Sequence, residues 1–211
     1  MKKFNKEVFE KFDNDTAKKW GMNYYHDWLK DAQDLAKAPA TPAEWFFRLY
    51  KQGTGHIFNT SLRFGKGIDT TLDIDEIYMG GFTRREMIDS ATIEIEKNKI
   101  FQNVVTYRFI RKSLIADMLE WSGVSKLKKD VVIFDKGFLS TTLTPSTINK
   151  NGAYVRDHDK ILVIHVPKTT PCVYTDFLAH LNENELLFAP EVKLIILSVG
   201  LFSKYIECAI E

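Results

Sequence analysis

Hydrophobic positions change their period near residue 100 of the 211-residue chain. Before that point they recur three or four apart, the spacing of an amphipathic helix. Phe4, Val8 and Phe12 are followed by Ala17, Trp20 and Tyr24, with Gly21 dividing the stretch. Thr41-Pro42-Ala43-Glu44 joins a capping box to a proline at the first helical position and opens a helix through Trp45, Leu49 and Tyr50. Gly53 and Gly55 end or interrupt it, the helical spacing resumes over 57–63, and Gly65-Lys66-Gly67 reads as a loop. The capping pattern recurs at Asp73 and Glu76 for a short helix that stops at Gly80-Gly81. It recurs again at Thr83 and Glu86, with Phe82 and Met87 spaced as a hydrophobic staple, for a helix to about Lys97.

From Asn103 the pattern is that of strands. Residues 104–110 (VVTYRFI) are β-branched and aromatic, and 131–134, 137–143, 161–166, 185–188, 192–199 and 205–210 carry the same signature. A helix from about Ser113 to Trp121, closed by Gly123, separates the first two. The polar stretch 145–159 reads as an exposed loop, 167–171 as a turn, and 174–181 as a short helix or double turn. Helices first and strands after predict an α+β domain. The whole chain, 1–211, is expected to be one domain, mainly helical over 1–100 and β-rich over 101–211.

Composition narrows the function only by exclusion. A formal net charge of +1 gives no overall attraction for nucleic acid or anionic membrane. Cys172 and Cys208 lack metal-ligand spacing and read as small core residues; the histidines at 26, 56, 158, 165 and 180 are too scattered for a zinc site, so no metal is expected. Neither a signal-type apolar run at the start nor a stretch of about 18 apolar residues occurs, and no membrane insertion is expected.

The candidate chemistry lies in 182–188, where Glu183 and Glu185 run into an apolar strand. In an extended strand residues two apart share a side, so both carboxylates are expected in one cleft, with Leu186 and Phe188 packed inward. Two close acids repel, and the pKa of one is expected to rise. Alone, the pair reads as incidental acids on a solvated loop. Two further features stand with it: an arginine inside an aromatic strand (Thr106-Tyr107-Arg108-Phe109) and a hydroxyl run at a strand end (Ser140-Thr141-Thr142).

In order and spacing these three features resemble the mono-ADP-ribosyltransferases of the bacterial exotoxin type, which carry an arginine after an aromatic, a Ser-Thr-Ser run, and Glu-x-Glu or Gln-x-Glu. The likeness extends to Gly137-Phe138-Leu139 before the hydroxyl run, to Val166-Pro167-Lys168 followed by Tyr174, and to Tyr50, Asn59, Leu62 and Arg63 upstream. Ala17 to Gly21 is similar to the entry helix of the catalytic components of binary toxins. Thr142 stands for the last serine, Thr169-Thr170-Pro171 replaces a glycine-bearing turn, and His180 stands where relatives carry an aromatic that helps dock the protein substrate.

The resemblance implies a helical part followed by a mixed two-sheet β core, NAD as co-substrate without a metal, and transfer of ADP-ribose to a protein. It gives Glu185 the ribose and the cleavage step, Ser140 the orientation of Glu185, and Arg108 the pyrophosphate. Tyr107, Thr141, Thr142, Asn59 and Arg63 join the NAD site, and either Arg156 or Lys160 supplies the loop cation. Glu183 and His180 serve the acceptor, and Glu-x-Glu rather than Gln-x-Glu implies an arginine on a target protein, with NAD glycohydrolysis as a side activity. A separate delivery component is compatible with it, as are secretion, injection and action in the cytoplasm. A non-catalytic binding module of the same fold and a non-arginine or nucleic-acid acceptor are the alternatives.

Overall fold

Three of the described helices in the first half start where a side chain closes the first turn. In the computed structural model, which describes residues 8–28, 39–71, 81–151, 159–176, 183–200 and 204–211, Asp13 caps α1 (Asn14–Tyr24) by accepting from the Thr16 N–H at 2.8 Å. Thr41 and Glu44 form the expected reciprocal box for α2 (Pro42–Leu49). A π-helical turn, Tyr50–Thr54, leads from α2 into α3 (Gly55–Phe64), and Gly53 at φ 92° provides the reversal between them. Thr83 and Glu86 cap α4 (Arg84–Lys97), with Met87 fully buried and Phe82 packed beside the core. The residues before Val8, the helix expected at Asp73, most of the helix or turn expected over 174–181, Arg156 and His180 lie outside the described residues.

The second half supplies β1 (Val104–Ile110), α5 (Lys112–Trp121), β2 (Val132–Phe134), β3 (Phe138–Thr142), α6 (Pro145–Asn151), β4 (Lys160–Val166), β5 (Val173–Tyr174), β6 (Glu185–Pro190), β7 (Lys193–Val199) and β8 (Tyr205–Ile210). The strands form one mixed sheet in the order β2-β7-β8-β4-β1-β3-β6-β5, parallel only between β4 and β8. One sheet stands in place of the two expected, and it narrows at one point. β1 pairs with β4 over seven residues but meets β3 at a single pair, Tyr107 with Thr142. The cleft opens beside that pair, where few ladder hydrogen bonds hold the two halves together.

Period-two alternation sorts the side chains of β1 and β4. Val104, Ile110, Leu162, Ile164 and Val166 join the main core, shared with Phe46, Phe47 and Leu49 of α2 and Met87, Ala91 and Ile95 of α4. Val105 and Tyr107 face the other way with Phe109, Ile161 and Val163, and meet Ile148 of α6. The expectation of a loop over 145–159 is therefore corrected for its first part. Pro145 starts a short helix, Thr144 and Thr147 join hydroxyls at 2.9 Å, and Ile148 gives the turn an apolar residue to bury. Both cysteines are buried and free, as expected of core residues; Cys172 lies 3.1 Å from the Tyr25 hydroxyl and burial pushes its thiol up to about 12. Among the described residues no helix is long and apolar enough to cross a membrane.

Candidate active site

The strand ends at the narrowing bring Arg108, Ser140, Glu183 and Glu185 to one cleft of about 310 Å³, walled also by Tyr107, Thr141 and Thr142. Pairing of β3 with β6 sets Ser140 opposite Leu187 and Thr142 opposite Glu185. Ser140 is therefore diagonal to Glu185 on the same face, within reach of its side chain. The Ser140 hydroxyl donates to Glu185 Oε1 at 2.5 Å. From the other side of β6, the Thr175 hydroxyl donates to Oε2 at 2.5 Å and the Lys51 ammonium does so at 2.7 Å.

These donors explain how a carboxylate only 4% exposed remains charged. Burial pushes the Glu185 carboxyl up, but the Lys51 charge and the hydrogen bonds from Lys51, Ser140 and Thr175 together hold it below the usual glutamate range. Glu183 lies in a different setting. Its side chain is 34% exposed, and its nearest cation is Lys51 at 3.9 Å. Burial first, then the neighbouring Glu185 carboxylate, raise the Glu183 carboxyl, with Lys51 opposing. The two acids thus titrate in opposite directions from their ordinary value.

The backbone that separates them is a turn rather than the expected extended strand. β6 begins only at Glu185, and Asn184 adopts φ 49°, so simple alternation does not align the two carboxylates. Hydrogen bonds shape the turn instead. The Glu183 N–H donates to Asp176 Oδ1 at 2.5 Å, the Thr142 hydroxyl donates to the Glu183 carbonyl at 2.6 Å, and the Leu143 N–H donates to the Asn184 carbonyl at 3.0 Å. The Asn184 side chain, buried, accepts from the Tyr174 hydroxyl at 3.1 Å. Asparagine tolerates this left-handed conformation better than most residues. Thr142 therefore shapes the acid turn, and Thr141 returns its hydroxyl to the Leu186 carbonyl at 3.3 Å.

On the far side of the cleft, Asp135 gathers two arginines. Arg63 grips it through Nε at 2.8 Å and Nη2 at 2.6 Å, and Arg108 Nη2 reaches the same carboxylate at 3.0 Å. Burial lowers the Arg108 guanidinium, Asp135 pulls it back, and Arg63 adds to the lowering. Arg108 Nη1 is buried and has no hydrogen-bond partner among the described residues. An unpaired guanidinium nitrogen at a cleft wall is suited to an anionic oxygen, which fits the pyrophosphate of a dinucleotide. Arg63 braces Arg108 through Asp135 and does not line the cleft.

Asn59 is also set back from the cleft: its side-chain oxygen accepts from the Phe138 N–H at 2.8 Å. It lies so close to Gly137 that a Cβ there would come within 2.7 Å of Asn59 Oδ1. Together they anchor the start of β3 and hence Ser140. Tyr50 bonds to Ser140 through its phenol, which burial first and the Glu185 carboxylate next push well above its usual range. Lys160 begins β4 opposite Ile110 and does not line the cleft.

Sequence reasoning passed over Lys51, Asp135, Thr175 and Asp176. A signal existed for Lys51: it stands one helical turn after Phe47, so a charge interrupts a buried stripe. Asp135 sits directly between two apolar strands and is only 2% exposed, a placement that calls for a cationic partner.

Solved structures share this architecture at low identity. Over 97% of this chain and all of theirs, Plx2a, an ADP-ribosyltransferase toxin from Paenibacillus larvae, superposes with TM-score 0.67 at 20% identity. The C3 exoenzyme of Clostridium limosum gives 0.62 at 14% identity, covering 97% of this chain and 98% of that one. The enzymatic component C2-I of the C2 toxin from Clostridium botulinum gives 0.63 at 14% identity, with 97% of this chain matching 50% of that one. The chain has no match among curated protein sequences. A sequence model described as ADP-ribosyltransferase exoenzyme matches residues 17–206, which take in both arginines, the hydroxyl run and the paired acids, so the chain belongs to the ADP-ribosyltransferase exoenzyme family.

Proposed function

We propose that this ADP-ribosyltransferase transfers ADP-ribose from NAD to an arginine side chain of a target protein, releasing nicotinamide, with NAD glycohydrolysis as a side activity. The observation that carries the reading is the unequal setting of the two glutamates. Glu185 is buried, fixed by three donors and held ionised; Glu183 is partly exposed, next to it and raised.

Breaking the bond between ribose C1′ and the nicotinamide nitrogen sends the bonding pair to nicotinamide and leaves positive charge developing on the ribose. A fixed carboxylate nearby stabilises that charge most where water is excluded. Glu185 takes this part, accepting a hydrogen bond from a ribose hydroxyl, and Ser140 sets its orientation. Arg108 Nη1 binds a phosphate oxygen while Nη2 remains on Asp135. A guanidinium is a poor nucleophile until it loses a proton. Glu183, accessible and with a raised pKa, accepts that proton as a guanidinium nitrogen bonds to C1′. With water in place of the arginine, the same cleavage gives hydrolysis.

Incubation with labelled NAD and an arginine-bearing protein, with the modified residue mapped by mass spectrometry, tests the reading. Glu185→Gln is expected to lose hydrolysis and transfer together, and Glu183→Gln to lose transfer while keeping hydrolysis. Full transfer by both variants, or labelling confined to residues other than arginine, would overturn the assignment.

A further inference from the structure

Lys51 approaches the two glutamates from the helical side of the sheet. It leaves α2 at the π-helical turn Tyr50–Thr54, is 8% exposed, and does not line the cleft. Its ammonium lies 2.7 Å from Glu185 Oε2 and 3.9 Å from Glu183 Oε2. A buried ammonium needs a carboxylate, and two adjacent carboxylates need a cation. The contact joins residues 134 apart in sequence, so this ammonium ties the helical half to the acid turn.

The hydrogen-bond inventory gives the contact a direction. A carboxylate oxygen has two lone-pair positions. On Glu185 Oε2 both are taken, by Lys51 and Thr175, whereas among the described residues Oε1 receives only Ser140. The remaining acceptor position is therefore on Oε1, the oxygen served by a residue of the cleft wall. Without Lys51, Oε2 loses its charged donor and only the hydroxyls of Ser140 and Thr175 remain to hold the carboxylate in this orientation.

We propose that Lys51 is a positioning residue for the transferase reaction: held behind β6, its ammonium locks Glu185 with Oε1 presented to the ribose hydroxyl and allows Glu183 to stand beside it. The proposal rests on the reading of Glu185 as the cleavage carboxylate. The same ammonium contributes to holding the Glu185 carboxyl below its ordinary range and to limiting the rise of the Glu183 carboxyl. A role in packing alone makes a different prediction, because an apolar side chain of similar length would satisfy it.

The test compares NAD hydrolysis by the wild type, Lys51→Met, Lys51→Arg and Glu185→Gln across pH. Lys51→Met is expected to lower kcat by about tenfold or more, to change KM much less, and to move the acid limb of the profile up by about one pH unit. Lys51→Arg, which keeps the cation, is expected to recover most of kcat and the wild-type acid limb. Should Lys51→Met fail to fold, Lys51→Gln, which keeps a donor but removes the charge, takes its place and is read against the same outcomes. If Glu185→Gln is inactive while folded Lys51→Met keeps the wild-type rate and profile, Lys51 is structural only and the reading of Glu185 stands. If the wild type does not cleave NAD, or Glu185→Gln cleaves it at the wild-type rate, that reading fails and the role of Lys51 fails with it.

Discussion

Arg108 is tied to Asp135 by one arm of its guanidinium and leaves the other buried without a partner: Nη2 donates to Oδ2 at 3.0 Å, while Nη1 has no hydrogen bond among the described residues. Only a planar fork of donors does both jobs at once. An ammonium at the same place has to choose between Asp135 and a phosphate oxygen. Arg108→Lys is expected to weaken NAD binding by about tenfold, or about 1.4 kcal/mol, measured by calorimetric titration. Unchanged affinity would mean that Arg108 serves the fold alone.

Asp135 balances two arginines in a site that excludes most water. Asp135→Asn retains the shape but leaves the Arg63 and Arg108 charges facing one another. Removing one partner of a buried ion pair commonly costs about 3–5 kcal/mol, and the amide oxygen that remains places this case at about 3 kcal/mol or less. Urea denaturation is expected to register that loss, and NAD affinity to fall along with it. If stability is retained while affinity falls, Asp135 acts on the cleft and contributes little to the fold.

The elements most legible in the sequence were those with local causes. The Thr41–Glu44 and Thr83–Glu86 boxes start helices where expected, and the β-branched run 104–110 forms a strand, because each signal is contained within a few residues. Arg108, Ser140, Glu183 and Glu185 were recognisable as a set through resemblance, and the fold gathers all four at one cleft. What escaped notice depended on distant partners. Lys51 has meaning only through Glu185, and Asp135 only through Arg63 and Arg108, none of them neighbours in sequence. The helix at Pro145–Asn151 has no signal in the sequence because one isoleucine among polar residues gives no period; Ile148 covers a sheet face instead.

Asn184 separates the two acids in a left-handed turn. Its φ of 49° favours glycine or asparagine, and its side chain accepts the Tyr174 hydroxyl. Asn184→Ala is expected to cost about 1–2 kcal/mol for the left-handed backbone and about 1 kcal/mol for the lost hydrogen bond, whereas Asn184→Gly loses chiefly the latter. Because three donors fix the Glu185 carboxylate, the displaced residue is expected to be Glu183. Transfer to arginine should fall more than NAD hydrolysis in both variants, and more in the alanine variant. Equal loss of both activities would show that the turn also sets Glu185.

The opposite shifts of the two carboxyls separate the two activities on the pH axis. Glu185 is held below the ordinary glutamate value near 4.3, so it stays ionised as the medium becomes acidic and is protonated only below that value. Glu183 is raised, so it takes up its proton first as pH falls. On the proposed division of roles, hydrolysis needs the ionised form of Glu185 alone, while transfer needs in addition that Glu183 be free to accept a proton. Lowering the pH from neutral is therefore expected to extinguish arginine transfer before hydrolysis, leaving a window in which the enzyme cleaves NAD but modifies little protein. Parallel measurement of nicotinamide release and protein labelling between about pH 4 and pH 8 tests this order, with Glu183→Gln as the reference in which hydrolysis persists without the upper group. A common acid limb for both activities would mean that a single carboxyl governs cleavage and transfer, and the division of labour between Glu183 and Glu185 would have to be abandoned.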